Sequence, residues 1–143
     1  MANGWTNRGK KLVLDYGFEG TSPPTNYYVA LITSAVAPDA ETDTLGTLTQ
    51  ISGGGYAAAA VAAGTAFTTS EDDTADRGKT VMDDVAWTAD GADLGAARYA
   101  VLCDGNVSGS NVIAYFDLSS DRTVSDGQTL TLTACELQLN EPS

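Results

Sequence analysis

The feature that most constrains the fold is a series of short β-branched and aromatic runs separated by turn residues. Residues 27–33 (YYVALIT) are apolar on both alternating faces, which is typical of a central strand covered on each side. Gly, Asp and Asn punctuate the chain between such runs and favour turns. About seven or eight short strands of this kind predict a mainly β chain, folded as an antiparallel, jelly-roll-like β-sandwich in a single domain over residues 1–143.

The remaining strands and loops follow from the same alternation. Further strands are predicted at residues 56–63, 80–88, 97–103 and 111–118, with shorter pieces at 48–51 and from Phe67. Residues 35–47 predict a loop, and the acidic stretch at 71–78 predicts an exposed loop.

The last strand contains an irregularity. Leu130 and Leu132 share one phase, whereas Cys135, Leu137 and Leu139 share the other. A period of two places both sets on one buried face only if an extra residue interrupts the strand. We therefore predict a β-bulge or sharp coil near Ala134 that leaves Glu136 and Gln138 facing outward.

One helix is predicted at about residues 6–16. Thr6 can cap its N-terminus, and Trp5, Leu12 and Tyr16 fall on one face.

Three glycines bear on this helix. Gly17 and Gly20 favour its end. Gly9 lies inside it, where glycine costs about 1 kcal/mol relative to alanine. We therefore expect tertiary packing to hold the helix or the backbone to approach a neighbour closely at Gly9.

Charge excludes several function classes. The chain has 19 acidic and 7 basic residues, no histidine and a net charge of −12. This balance argues against nucleic-acid partners, whose binding depends on clustered Lys and Arg, and against an anionic membrane surface. The absence of histidine excludes a Ser-His-Asp triad and imidazole metal ligands.

The N-terminus begins without a secretory signal pattern, so we expect synthesis in a cytoplasm. In that reducing compartment Cys103 and Cys135, which lie within apolar strand patterns, are expected to be buried free thiols rather than a disulfide.

Patterns that carry chemistry are weak. Asp104, Asn106, Ser108 and Gly109 follow the first half of a calcium loop, but Tyr115 stands where a bidentate Glu is required. A polar hairpin loop is the better interpretation. We predict no catalytic, cofactor-binding or metal-binding residues, and no enzymatic activity.

A small basic group stands out on this acidic chain. Arg8, Lys10 and Lys11 lie close together in the predicted helix. One interpretation is a solvated helix face, and the other is a docking site for an acidic partner surface, since complementary charge fixes orientation.

Several stretches together resemble a family of small tailed-bacteriophage virion proteins of tail-fibre-like or head-decoration-like type. The matching pieces are WTNRGK at 5–10, LVLD at 12–15, YVAL at 28–31, GGGY at 53–56, VAW at 85–87, ARYAV at 97–101, IAYFDL at 113–118 and TVSDGQTL at 123–130. The resemblance implies a β-sandwich built into a virion, with no catalytic residues.

The resemblance leaves the position on the particle open. A compact acidic chain without a shaft suits the outer surface of a DNA-filled head, so a capsid decoration or cement protein is the first interpretation. A tail-fibre, baseplate or collar component involved in host attachment is the alternative. Expected partners are the major capsid protein or tail proteins and further copies of the chain, with a trimer as one arrangement. A carbohydrate-binding module, the third class, would need Tyr27, Tyr28 or Trp87 exposed.

Overall fold

The computed structural model describes residues 3–140 and is mainly β, with one α-helix in this part of the chain. The helix α1 spans Asn7–Phe18. The ten strands are β1 (Gly4–Trp5), β2 (Asn26–Ile32), β3 (Ala59–Ala62), β4 (Phe67–Asp72), β5 (Arg77–Met82), β6 (Val85–Thr88), β7 (Leu94–Cys103), β8 (Val112–Val124), β9 (Thr129–Leu132) and β10 (Glu136–Leu139). All pairings are antiparallel. The class and the helix are confirmed, and the layers are compatible with a sandwich.

The main sheet has five strands in the order β1-β8-β7-β2-β3. As predicted from residues 27–33, β2 lies inside it, between β7 and β3. Apolar clusters cover both faces of this sheet, one including Val29 and Leu31 and the other Ala30 and Ile32. Alternate side chains of one strand thus enter two separate cores.

One face of the main sheet is covered by the chain that follows β2. Leu45 and Leu48 from this segment pack on Ile32 and Tyr99. The strand predicted at residues 48–51 is wrong, because only an isolated bridge joins Gln50 to Ile32.

The other face is covered by β10-β5-β4 and by the pair β6-β9. The single strand predicted at residues 80–88 is wrong, since β5 and β6 belong to different sheets. Met82, Val85 and Trp87 are all buried, and this requires a change of phase at Asp83 and Asp84.

The predicted break near Ala134 is confirmed. β9 ends at Leu132 and β10 begins at Glu136 in another sheet, and Ala134 has a φ of 53°. Glu136 and Gln138 are half-buried, whereas Leu137 between them is buried. The strand therefore changes sheets at this point instead of carrying a bulge within one sheet.

Several boundaries differ from prediction. Residues 71–72 and 77–78 belong to β4 and β5, so the acidic loop is the tip of a hairpin. β3 is shorter than the predicted strand at 56–63, and the β7–β8 hairpin is longer than predicted. α1 continues past Gly17 to Phe18, because a glycine without positive φ does not end a helix.

Cys103 and Cys135 are both buried and free, as predicted. Burial raises the pKa of the Cys103 thiol to about 12 and that of Cys135 to about 11. Both side chains are therefore packed as small neutral apolar groups. The single-domain assignment to residues 1–143 stays a prediction, and the tail at 141–143 lies outside the described residues.

Candidate functional site

Helix α1 is fixed to the main sheet through its N-terminus. The buried Thr6 hydroxyl accepts a hydrogen bond from the Gly9 N–H at 2.8 Å and donates to the Val112 carbonyl at 2.5 Å. The Thr6 N–H donates to the Ile113 carbonyl at 3.0 Å. The predicted cap is confirmed, and it also attaches the helix to β8.

The first helical turn lies against the backbone of β8 at Gly9. A Cβ placed on Gly9 would lie 2.0 Å from the Ile113 carbonyl oxygen, well inside van der Waals contact. The expected close backbone approach at this glycine is present.

Arg8 is engaged within the molecule. Its Nη1 donates to the Asn111 Oδ1 at 3.2 Å, and its Nη2 lies 3.5 Å from the Asp43 carboxylate. Asn111 in turn donates from Nδ2 to Asp104 at 2.6 Å. Arg8 therefore joins α1 to the loop after β2 and to the β7–β8 hairpin, which leaves it less free to bind a partner.

The two lysines differ in whether they form an ion pair within the chain. Lys11 Nζ lies 2.6 Å from the Asp15 carboxylate, one helical turn away, and this hydrogen bond raises the pKa of Lys11. Lys10 is exposed, and within residues 3–140 it makes no ion pair. The structure places all three predicted docking residues on α1, but only Lys10 presents an uncompensated charge.

A second surface feature, an apolar groove, was not predicted. It has a volume of about 480 Å³ and lies between α1 and the sheet formed by β10, β5 and β4. The main sheet contributes Tyr27, Leu102 and Ile113 to it, and α1 contributes Val13 and Tyr16.

The opposite wall of the groove comes from the three-stranded sheet. Phe67, Thr69, Lys79 and Leu137 line this side. The Phe67 and Tyr27 rings meet edge to face, with centroids 5.7 Å apart, which is a favourable aromatic geometry.

The groove lining carries little charge. Lys79 is the charged residue among the described residues that line it, and no carboxylate is among them. Burial is the main cause that raises the pKa of Tyr16 and Tyr27, so both phenols are neutral at physiological pH. The chain of net charge −12 thus has an apolar face without acidic lining.

Near the groove, apolar side chains are exposed to solvent. Phe18 is 85% exposed and Leu14 55%, one turn apart on α1, and Leu139 of β10 is 51% exposed. The spacing of Leu14 and Phe18 was readable in the sequence as an i, i+4 apolar pair outside the Trp5–Leu12–Tyr16 face. The groove itself was not readable, because its walls come from distant segments.

None of the three aromatic residues that a carbohydrate module would need is fully exposed. Trp87 is buried and its Nε1 donates to the Ala57 carbonyl at 3.0 Å. Tyr27 and Tyr28 are half-buried. Asp104, the first residue of the partial calcium-loop pattern, accepts hydrogen bonds from Asn111 across the hairpin. Within residues 3–140 no group of three or more His, Cys, Asp or Glu side chains is placed to hold a metal ion.

Comparison with known families gave one decisive match. A family model described as podophage GP4 fiber I protein gp80 matches residues 4–140, a range that contains α1 and all ten strands. The chain belongs to this family. The gp80 family places it among phage virion structural proteins of fibre type. Comparisons with curated proteins and with solved structures gave no match.

Membership in the gp80 family confirms the resemblance to small phage virion proteins and fits its tail-fibre branch better than its head-decoration branch. In the described residues, no helix has the length and apolar character to cross a membrane.

Proposed function

We propose that the protein is a non-enzymatic structural subunit of a fibre-type appendage on the outer surface of a tailed-phage virion. The observation that carries this proposal is the match to a podophage fibre protein family over residues 4–140. The acidic composition, with 19 Asp and Glu against 7 Lys and Arg, supports a position facing solvent rather than packaged DNA.

The proposal chooses between two positions on the particle, the capsid surface and the tail appendages. The sequence favoured a capsid decoration protein, but the family description supports the alternative of a tail-fibre, baseplate or collar component. We therefore place the protein on the appendage, in contact with tail proteins.

Immunogold labelling of intact phage tests this position. Antibody raised against the purified chain is expected to label the appendage, and particles that lack the protein provide the background. Uniform labelling over the head would overturn the proposal in favour of capsid decoration.

We further propose that α1 contacts a virion partner through its basic face, as the sequence suggested for Arg8, Lys10 and Lys11. Lys10 is the informative position, because Arg8 and Lys11 already pair with Asp43 and Asp15. Reversal of either of those would also break an internal contact.

Lys10→Glu is expected to lower incorporation of the protein into particles, measured by quantitative immunoblotting of purified virions. Arg122→Glu makes the same charge change at an exposed position in β8 and serves as the matched control. Equal incorporation of both variants at the wild-type level would rule out docking through Lys10.

A further inference from the structure

The groove and the Leu14–Phe18 pair lie on different sides of the same helix. Tyr16 and Val13 face the groove. Leu14 and Phe18 each lie two residues from Tyr16, a rotation of about 200° that places them on the opposite face of α1. The chain therefore carries a protruding apolar pair and an apolar recess that cannot contact each other within one copy.

We propose that Phe18 of one copy occupies the groove of a second copy, so that the chain self-associates head to tail through α1. The recess of about 480 Å³ lined by Tyr16, Tyr27 and Phe67 has room for a phenyl ring and offers it apolar contacts. Ring contacts of this type prefer edge-to-face geometry, and the Tyr27–Phe67 pair already has it.

Charge limits where a second copy of this chain can dock. Two chains of net charge −12 repel each other, and a contact between them requires a face where carboxylates do not meet. The described groove lining contains no carboxylate, which lowers like-charge repulsion at this face.

The two halves of the contact are also complementary in charge. Glu19 directly follows Phe18 and is exposed, and Lys79 lies in the groove wall. Entry of Phe18 brings Glu19 of one copy to the side of the groove that carries Lys79 of the other. Lys79 is held only loosely within its own chain, with Nζ 3.9 Å from Glu136.

A contact between two different surfaces of the same molecule is heterologous. Such contacts form rings when the rotation between neighbours closes, and open filaments when it does not. The proposal therefore predicts assemblies in which each copy gives one Phe18 and receives one. It concerns the purified chain, so its outcome is independent of where the protein lies on the virion.

Sedimentation analysis of two complementary variants tests the proposal. Phe18→Ser removes the protruding ring and keeps the groove, and since Phe18 is 85% exposed the fold should not change. Thr69→Trp fills the groove from its exposed wall position and keeps Phe18. Val107→Ser is the matched control, because Val107 is 66% exposed on the β7–β8 hairpin and does not line the groove.

Wild type and Val107→Ser are expected to associate equally. Phe18→Ser should weaken association by about ten- to a hundredfold, the effect of removing one buried aromatic side chain. An equimolar mixture of Phe18→Ser and Thr69→Trp should form one-to-one heterodimers and nothing larger, because one functional contact remains.

Two results would overturn the proposal: a wild-type chain that stays monomeric at its highest soluble concentration, or Phe18→Ser that associates as tightly as Val107→Ser. Circular dichroism of each variant separates lost association from lost folding. If Thr69→Trp does not fold, the comparison of Phe18→Ser with Val107→Ser alone decides.

Discussion

Gly9 determines whether α1 can lie on the main sheet. Its α-carbon faces the Ile113 backbone, and a methyl group there would lie 2.0 Å from the Ile113 oxygen and 2.6 Å from its carbonyl carbon. Backbone atoms cannot move aside as a flexible side chain can. The glycine that weakens the isolated helix is therefore required for its docking.

Gly9→Ala is expected to destabilise the protein by at least about 2 kcal/mol, a magnitude typical of an overpacked contact. Gly17→Ala is the matched control in the same helix, because nothing lies within 4 Å of the added methyl group. That variant should be neutral or more stable by up to about 1 kcal/mol. Chemical denaturation measures both, and equal effects at the two positions would contradict the docking role of Gly9.

Single residues also show what the sequence could predict. Thr6 was identified as a cap from its type and position, and this was correct. Its second contact, donation to Val112 more than a hundred positions away, depends on which strand lies beneath the helix. Local sequence carries no information on that choice.

At the scale of elements, two adjacent breaks allow the chain to change sheets. One lies at Asp83–Asp84 and the other at residues 133–135. They are joined by hydrogen bonds from Met82 N–H to the Cys135 carbonyl at 2.9 Å and from Ala134 N–H to Asp84 Oδ1 at 3.2 Å. β5 and β10 therefore leave the β6–β9 ribbon together and form one wall of the groove.

Ala134 has a left-handed backbone with a φ of 53°, a conformation that costs an L-residue roughly 1 kcal/mol. Ala134→Gly should therefore stabilise the protein by up to about 1 kcal/mol in thermal unfolding. Ala86→Gly, at an exposed and extended position in β6, should destabilise it by about 0.5–1 kcal/mol. If both substitutions destabilised the protein, backbone strain at Ala134 would be ruled out.

The two breaks differ in how far the sequence revealed them. At Ala134 the leucines before and after the break stand in opposite phases, so the change was predicted. At Asp83–Asp84 the alternation of Val81, Val85 and Trp87 runs through the break, and one continuous strand was predicted. The buried Met82 is the residue out of phase, and a half-buried Val81 conceals the signal.

At the scale of the whole molecule, the stability of the two cores depends on pH through two buried thiols and one half-buried phenol, all of high pKa. Burial raises the pKa of Cys103 to about 12, Cys135 to about 11 and Tyr56 to about 12. The Tyr56 hydroxyl also accepts from the Leu31 N–H at 2.9 Å and donates to Gln50 at 2.8 Å. Each group is kept neutral in the folded state.

Stability should therefore fall at alkaline pH. The cysteine thiols ionise near pH 9.0 when exposed and Tyr56 near 10.0, so the unfolded state loses protons first. The stabilisation is complete below pH 9 and is lost as the pH rises toward 11 and 12.

Urea denaturation over this range should show a loss on the order of a few kcal/mol. A Cys103→Ala, Cys135→Ala variant should show a smaller decline from its own neutral value. A wild-type stability that is constant between pH 9 and 11 would contradict the burial of these groups.

The sequence alone determined the properties that depend on local pattern and composition. These are the mainly β class, the capped N-terminal helix, the central position of β2, the change of strand phase near Ala134 and the acidic character. Each follows from the side-chain periodicity of two in strands, from capping chemistry or from charge counts, all of which act between near neighbours.

Only the tertiary structure decided which surfaces exist. The groove requires Tyr16, Tyr27, Phe67 and Leu137 to meet, and these residues come from four elements whose order in space is not written in any local pattern. The same packing paired Arg8 with Asp43 and left Lys10 and Phe18 exposed on α1. Which distant segments pack together depends on the free energy of the whole fold relative to alternative packings. That comparison determines which faces are buried and which remain open to a partner.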